Sequence, residues 1–141
     1  MAPMEVLAGR VLLHPVDPER SQRFYRDALG LAVYREFPGG VVFFLGGGFL
    51  EVSGSGRDDP GDDTGDTGGR QPPDLELWLQ VRDVAAEHER LVGAGVEILR
   101  EPRREPWGLV EMWLADPDGV RLVLVEVPDE HPLRRDTRTP E

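Results

Sequence analysis

One pattern occurs twice in this chain, and it decides the architecture. Residues 10–16, RVLLHPV, read as a strand, and DPERSQRFYRDALG follows with Asp17 as helix N-cap, Pro18 at the first helical position and Gly30 as stop. Phe24, Tyr25, Ala28 and Leu29 fall at helical spacing and are expected to face a sheet. Three short strands come next, LAVYREF, VVFFLGG and FLEVSG, separated by Pro38-Gly39-Gly40 and by the glycines at 46–48. The series then starts again: LELWLQV as a strand, Asp83 as N-cap, VAAEHERLVGAG as a helix ended by glycine, then VEILREP, LVEMWLA and VRLVLVEV as strands. Setting Asp17 over Asp83 puts Arg10 opposite Glu76, Leu12 opposite Trp78 and His14 opposite Gln80. Such a chain is a tandem duplication of one βαβββ unit, an α+β fold with modules at 8–53 and 74–128.

Between the modules, residues 54–73 (GSGRDDPGDDTGDTGGRQPP) contain almost nothing apolar, so they bury too little to offset the entropy of ordering and read as a flexible acidic linker. Asp58, Asp59, Asp62, Asp63 and Asp66 miss the alternate-position spacing and the closing glutamate of a calcium loop. Residues 129–141 have no periodicity and are expected to fray as a disordered tail.

The composition excludes several chemistries. A net charge of −11 lacks the clustered positive charge that phosphate backbones require, so no nucleic-acid partner is expected. The chain has no cysteine, and all 16 basic residues are arginine, which removes thiolate nucleophiles, thiolate metal ligands, disulfides and a lysine Schiff base. Catalysis, if present, must use carboxylates, three histidines, tyrosines, hydroxyls or a metal held by oxygen and nitrogen. No stretch approaches the roughly 20 apolar residues of a membrane span, and MAPMEVLAGR has no basic n-region, so the expectation is a cytoplasmic protein without a membrane partner.

Residues 8–128 resemble the vicinal oxygen chelate superfamily, which includes glyoxalase I, bleomycin-resistance proteins, fosfomycin-resistance enzymes and extradiol dioxygenases. The resemblance rests on VDPERSQRFYRDALGL in the first unit, VRDVAAEHERLVGAGVEI in the second, and PWG followed by ADPDGVRLVLVE. It implies sheets that curl into a cup, with helices outside and a pocket inside. Leu122 and Leu124 would then pack under a helix, while Arg121, Val123 and Val125 look into the pocket. By the same analogy two copies of the chain are expected to pair as a homodimer.

Metalloenzymes of this family take ligands from the first and last strands of each unit. Carried over residue by residue, those positions are Arg10, Glu51, Glu76 and Val123. Arginine is cationic at every accessible pH and valine has no donor atom, so only Glu51 and Glu76 can ligate. Two carboxylates without imidazole suit magnesium or manganese better than zinc, nickel or iron. His14 points to the same side of its strand as Arg10, but four residues span about 13 Å, which places it at the pocket mouth as a hydrogen-bonded strand-end residue.

Strand parity sends Arg10, Leu12, His14, Phe49, Glu51 and Ser53 from the first unit, and Glu76, Trp78, Gln80, Glu111, Trp113, Arg121 and Val123 from the second, toward the cup. Trp107 belongs to a loop at the rim. Trp78 and Trp113 either offer flat faces for stacking or are core residues, and Arg10 can pair with Glu76 or Glu51 in place of a metal. His88 reads as structural, His131 as solvated, and Glu5, Glu126 and the many surface arginines as a solvated face.

Two function classes fit these residues. One is a metal-free binding protein that sequesters a drug-like or metabolic ligand in an acidic and aromatic pocket, with no cofactor. The other is a glyoxalase-type lyase, isomerase or dioxygenase using a divalent metal on Glu51 and Glu76. A dimer whose pocket is filled by side chains is a third.

Overall fold

Parallel strands cannot be joined by a tight turn, and each module here contains one parallel pair whose crossover is a helix and two further strands. The computed structural model describes residues 3–54 and 75–131. It has β1 (Arg10–Leu13), α1 (Pro18–Arg23) continued by a π-helical turn (Phe24–Ala28), β2 (Val33–Phe37), β3 (Gly40–Leu45) and β4 (Gly48–Ser53) in the first module. The second has β5 (Glu76–Gln80), α2 (Val84–Gly93), β6 (Ile98–Arg104), β7 (Val110–Ala115) and β8 (Arg121–Glu126). The doubled βαβββ order expected from the sequence is the order observed. The chain divides into two compact units, residues 1–73 and 74–141. The expected linker at 54–73 lies outside the described residues apart from Gly54, as does the tail from 132 onward.

The sheet orders are β1-β4-β3-β2 and β5-β8-β7-β6. In each, the first and last strands of the module pair in parallel at one edge, and the remaining neighbours are antiparallel. Both helices start as the sequence predicts. Asp17 accepts from the Arg20 N–H and Asp83 from the Ala86 N–H, each at 3.1 Å, so two otherwise unpaired first-turn donors are satisfied.

In the first module the π-helical turn after α1 and the residue that caps it lay Tyr25 and Leu29 on the face of the sheet carrying Leu13, Val41, Phe43, Leu50 and Val52, all buried. The ring of Tyr25 lies 6.2 Å from that of Phe43. Each such side chain removed from water stabilises by roughly 1.5–3 kcal/mol, so this layer dominates the module's stability. In the second module Val84 and Leu91 of α2 are buried, as are Leu77, Met112, Leu114, Leu122 and Leu124 of the sheet. The other face of β8 is covered too: Val123 and Val125 cluster with Leu109 and Val127, and Trp113 packs against the group.

Local details depart from the sequence reading in three places. Strand β6 continues past Pro102 to Arg104, which its edge position allows because an edge strand need not donate every N–H. Glu126, expected on a solvated face, turns its carboxylate to the start of α2 and accepts from the Val84 N–H at 3.0 Å. His131, expected to be solvated, is half-buried, with Nε2 3.0 Å from the Trp107 carbonyl oxygen. Gly108 lets it approach: φ is +93°, and a Cβ there would meet the His131 ring at 3.0 Å.

No described helix is long and apolar enough to cross a membrane.

The turn into β8 is held by Asp116, which is buried and accepts from the backbone N–H groups of Asp118 at 2.8 Å and Val120 at 2.9 Å. Asp116→Ala leaves both donors without that partner and should lower stability by about 2 kcal/mol in urea unfolding, whereas Asp116→Asn keeps an acceptor and should cost less than half as much. Equal losses for the two variants would contradict this role.

Candidate functional site

On the first module, the register Arg10↔Phe49 and Leu12↔Glu51 puts Arg10, Leu12, Phe49 and Glu51 on the sheet face opposite α1. There the Arg10 guanidinium donates to Glu51 Oε1 at 2.8 Å. The Ser53 hydroxyl donates to Glu51 Oε2 at 3.1 Å, so both carboxylate oxygens are engaged. His14 follows one position beyond the Leu13–Val52 pair, and its Nδ1 lies 3.1 Å from the Gly54 carbonyl oxygen and 3.3 Å from that of Ser53.

The rise along β1 suggested that His14 stands apart from the ligand positions. The structure corrects that: parallel pairing brings it beside Ser53, and with Glu51 it lines one cavity of about 290 Å³. A wider hollow of about 570 Å³ shares Phe37, Gly39 and Gly54 with it and runs under Asp17, Gln22 and Arg26 of the helix segment.

The same face carries three mutually contacting rings. Phe49 lies 4.7 Å from Tyr34 and 5.7 Å from Phe44, and Tyr34 lies 5.2 Å from Phe44. Tyr34 and Phe44 are 49% and 44% exposed, a large fraction for aromatic residues. The Arg10 guanidinium lies 5.9 Å from the centre of the Phe49 ring, within cation–π range.

On the second module the charges trade strands. Glu76 of β5 faces Arg121 of β8 directly in register, and the guanidinium donates to Glu76 Oε1 at 2.7 Å. Beside this pair Trp78 stands opposite Val123 and is 53% exposed, with Gln80 next in line opposite Val125.

Trp113 behaves differently from Trp78. Guanidinium carbons of Arg100 and Arg121 lie 3.7 Å and 4.6 Å from its ring centre, and its body packs on the valine cluster. Its indole N–H is buried with no hydrogen-bond partner among the described residues. Two cations already use this ring, so it is a wall rather than an open platform. Trp107, on the loop before β7 as expected, donates its indole N–H to the buried Glu111 at 2.8 Å.

Four residues on these faces escape the alternation rule. Tyr34 and Phe44 belong to strands whose irregular register, shifted between Val33 and Arg35, obscures parity. Arg100 and Glu105 sit in REPRREPWG, a charged run that reads as solvated surface. The structure instead buries Glu105, which accepts from both Arg100 and Arg103.

The positions that the family resemblance assigns to metal ligands can be tested on this geometry. Among the described residues no group of three or more His, Asp or Glu is placed to hold an ion. Within each module the one carboxylate at those positions is already paired with an arginine, at 2.8 Å and 2.7 Å. A cation bound to the same carboxylate would have to compete with that guanidinium for its oxygens. The residues present do not fit the family's metal.

Residues 8–124 match the family model described as the Glyoxalase/Bleomycin resistance protein/Dioxygenase superfamily. Among solved structures the chain is similar to a glyoxalase-related enzyme from Fulvimarina pelagi, with 26% identity, a TM-score of 0.66, and 89% of this chain and 90% of that one covered. It is also similar in fold to TioX from Micromonospora sp. ML1, at 21% identity and a TM-score of 0.70 over 86% of this chain and 98% of that one. Lactoylglutathione lyase from Agrobacterium tumefaciens shares the fold at 20% identity and a TM-score of 0.63, covering 89% and 96% respectively. No curated protein matches the sequence.

Glu105 offers a test of the wall around Trp113. Its side chain is 2% exposed and that of Arg100 18%, whereas that of Arg103 is 61% exposed. Glu105→Ala should destabilise by about 3 kcal/mol in chemical unfolding, because it strands the largely buried guanidinium of Arg100. Arg103→Ala should cost less than about 1 kcal/mol. Similar losses for both variants would contradict the assignment.

Proposed function

Because the chain belongs to the glyoxalase/bleomycin resistance protein/dioxygenase superfamily, we propose that it serves as a metal-independent binder of a small planar molecule, sequestering a drug-like or metabolic ligand without changing it. The observation that carries this reading is the pair of arginine–carboxylate bridges, Arg10–Glu51 and Arg121–Glu76, that engage the two carboxylates found at the family's ligand positions. Each supplies fixed hydrogen-bonding groups while neutralising the charge that would attract a divalent ion. A metal-dependent reaction would first have to break both.

Two further features support binding. Trp78 presents more than half of its surface beside the Glu76–Arg121 pair, and the Tyr34–Phe44–Phe49 cluster offers a second aromatic surface on the first module. Flat rings stack on such surfaces, and the neighbouring polar groups fix orientation. The arginines cancel much of the acidic character, so hydrogen bonding rather than positive charge selects the ligand. In this reading the partners are a small molecule and a second copy of the chain, and the setting is the cytoplasm.

Titration with planar aromatic compounds should produce saturable quenching of tryptophan fluorescence, and EDTA should leave the affinity unchanged. Trp78→Ala should weaken binding about tenfold or more. Binding or turnover abolished by EDTA and restored by a divalent ion would overturn the proposal, as would full affinity in the Trp78 variant.

A further inference from the structure

The surroundings of His14 determine which of its nitrogens carries the proton. The oxygens nearest Nδ1 are the carbonyls of Gly54 at 3.1 Å and Ser53 at 3.3 Å, which can only accept. The Ser53 hydroxyl is 3.5 Å away, but its single proton is given to Glu51 Oε2, and Glu51 is itself held by Arg10. Nothing on that side of the ring can donate to Nδ1, so Nδ1 is the N–H. In the neutral ring Nε2 is then a bare acceptor, and it makes no hydrogen bond among the described residues.

His14 lines the cavity of about 290 Å³ together with Glu51 and Ser53, whose polar groups are occupied, and with Phe37 and Pro38 as an apolar wall. The space suits one small ring rather than a large drug.

We propose that His14 is the specificity-determining acceptor of this cavity: its Nε2 receives a hydrogen bond from the hydroxyl or ring N–H of a small aromatic ligand. The chain Arg10–Glu51–Ser53 keeps the ring in the accepting tautomer. The proposal rests on the reading of the protein as a small-molecule binder and names the chemical class taken by the first module.

Phenol and anisole are the probes, since they share a ring and differ in the donor. Long-range ¹H–¹⁵N NMR spectra in mildly alkaline buffer, assigned with His14→Asn, should show the Nδ1–H tautomer in the free protein. Phenol at millimolar concentration should shift the Nε2 resonance, and anisole should bind about tenfold more weakly. His14→Gln, which puts an oxygen near the place of Nε2, should retain the preference. His14→Asn, which keeps only the inner donor, should bind the two alike.

An Nε2–H tautomer in the free wild-type protein would overturn the proposal without any variant. Equal binding of phenol and anisole, no shift with phenol, or an undiminished preference in His14→Asn would also overturn it. Trp78-dependent quenching by other compounds, with His14 indifferent to phenol, would end this inference and leave the proposed function standing. Phenol captured at His14, with no compound depending on Trp78, would uphold this inference and remove Trp78 from the proposed function.

Discussion

In each module the first and last strands run side by side in parallel, and where their side chains converge an arginine meets a carboxylate. These contacts are partly exposed and contribute little to stability, on the order of 1 kcal/mol or less each. Their consequence is chemical. They place a cation within hydrogen-bond distance of each carboxylate that a chelating relative would use for metal, and they leave a sheet face that is polar but nearly charge-balanced. The order of the pair is reversed between modules: arginine on the first strand and glutamate on the last in one, glutamate first and arginine last in the other. The two pairs are not equivalent in register: Glu76 faces Arg121 directly, whereas Arg10 faces Phe49 and reaches Glu51 two positions on.

The surroundings of the pairs divide by burial. In the second module the space beside Arg121 is closed by Trp113, the valine cluster and the Arg100–Glu105 bridge, so only Trp78 and its neighbours stay open. In the first module the aromatic rings and the cavity beside His14 remain accessible. A ligand therefore finds two chemically distinct surfaces, one an indole beside an ion pair, the other a small hollow ending in an imidazole.

Much of this was legible in the sequence because the signals are local. Asp17 and Asp83 mark both helix starts, glycines mark the turns, and period-two alternation sends Leu122 and Leu124 to one face of β8 and Val123 and Val125 to the other. The repeat itself identified the fold, and the alternative partner of Arg10 resolved to Glu51. What escaped was long-range. Glu126 caps a helix 42 residues earlier, Glu105 is buried with arginines of the edge strand just before it, and His131 docks on a glycine turn 23 residues before it. None of these has a sequence signature, since a charged residue reads as solvated until its partner is known. The sequence shows His14 as a cup-facing, hydrogen-bonded strand-end residue but not its place beside Ser53 and Glu51, because distance along one strand says nothing about which residue the neighbouring strand sets beside it.

Guanidinium groups hold Glu51 and Glu76, and metal content measures that most directly. Elemental analysis of protein purified without chelator, then offered zinc, manganese or magnesium and desalted, should find far less than one ion per chain. One retained ion per chain, lost in Glu51→Gln or Glu76→Gln, would show that the arginines yield and that the chelating chemistry of the family survives here.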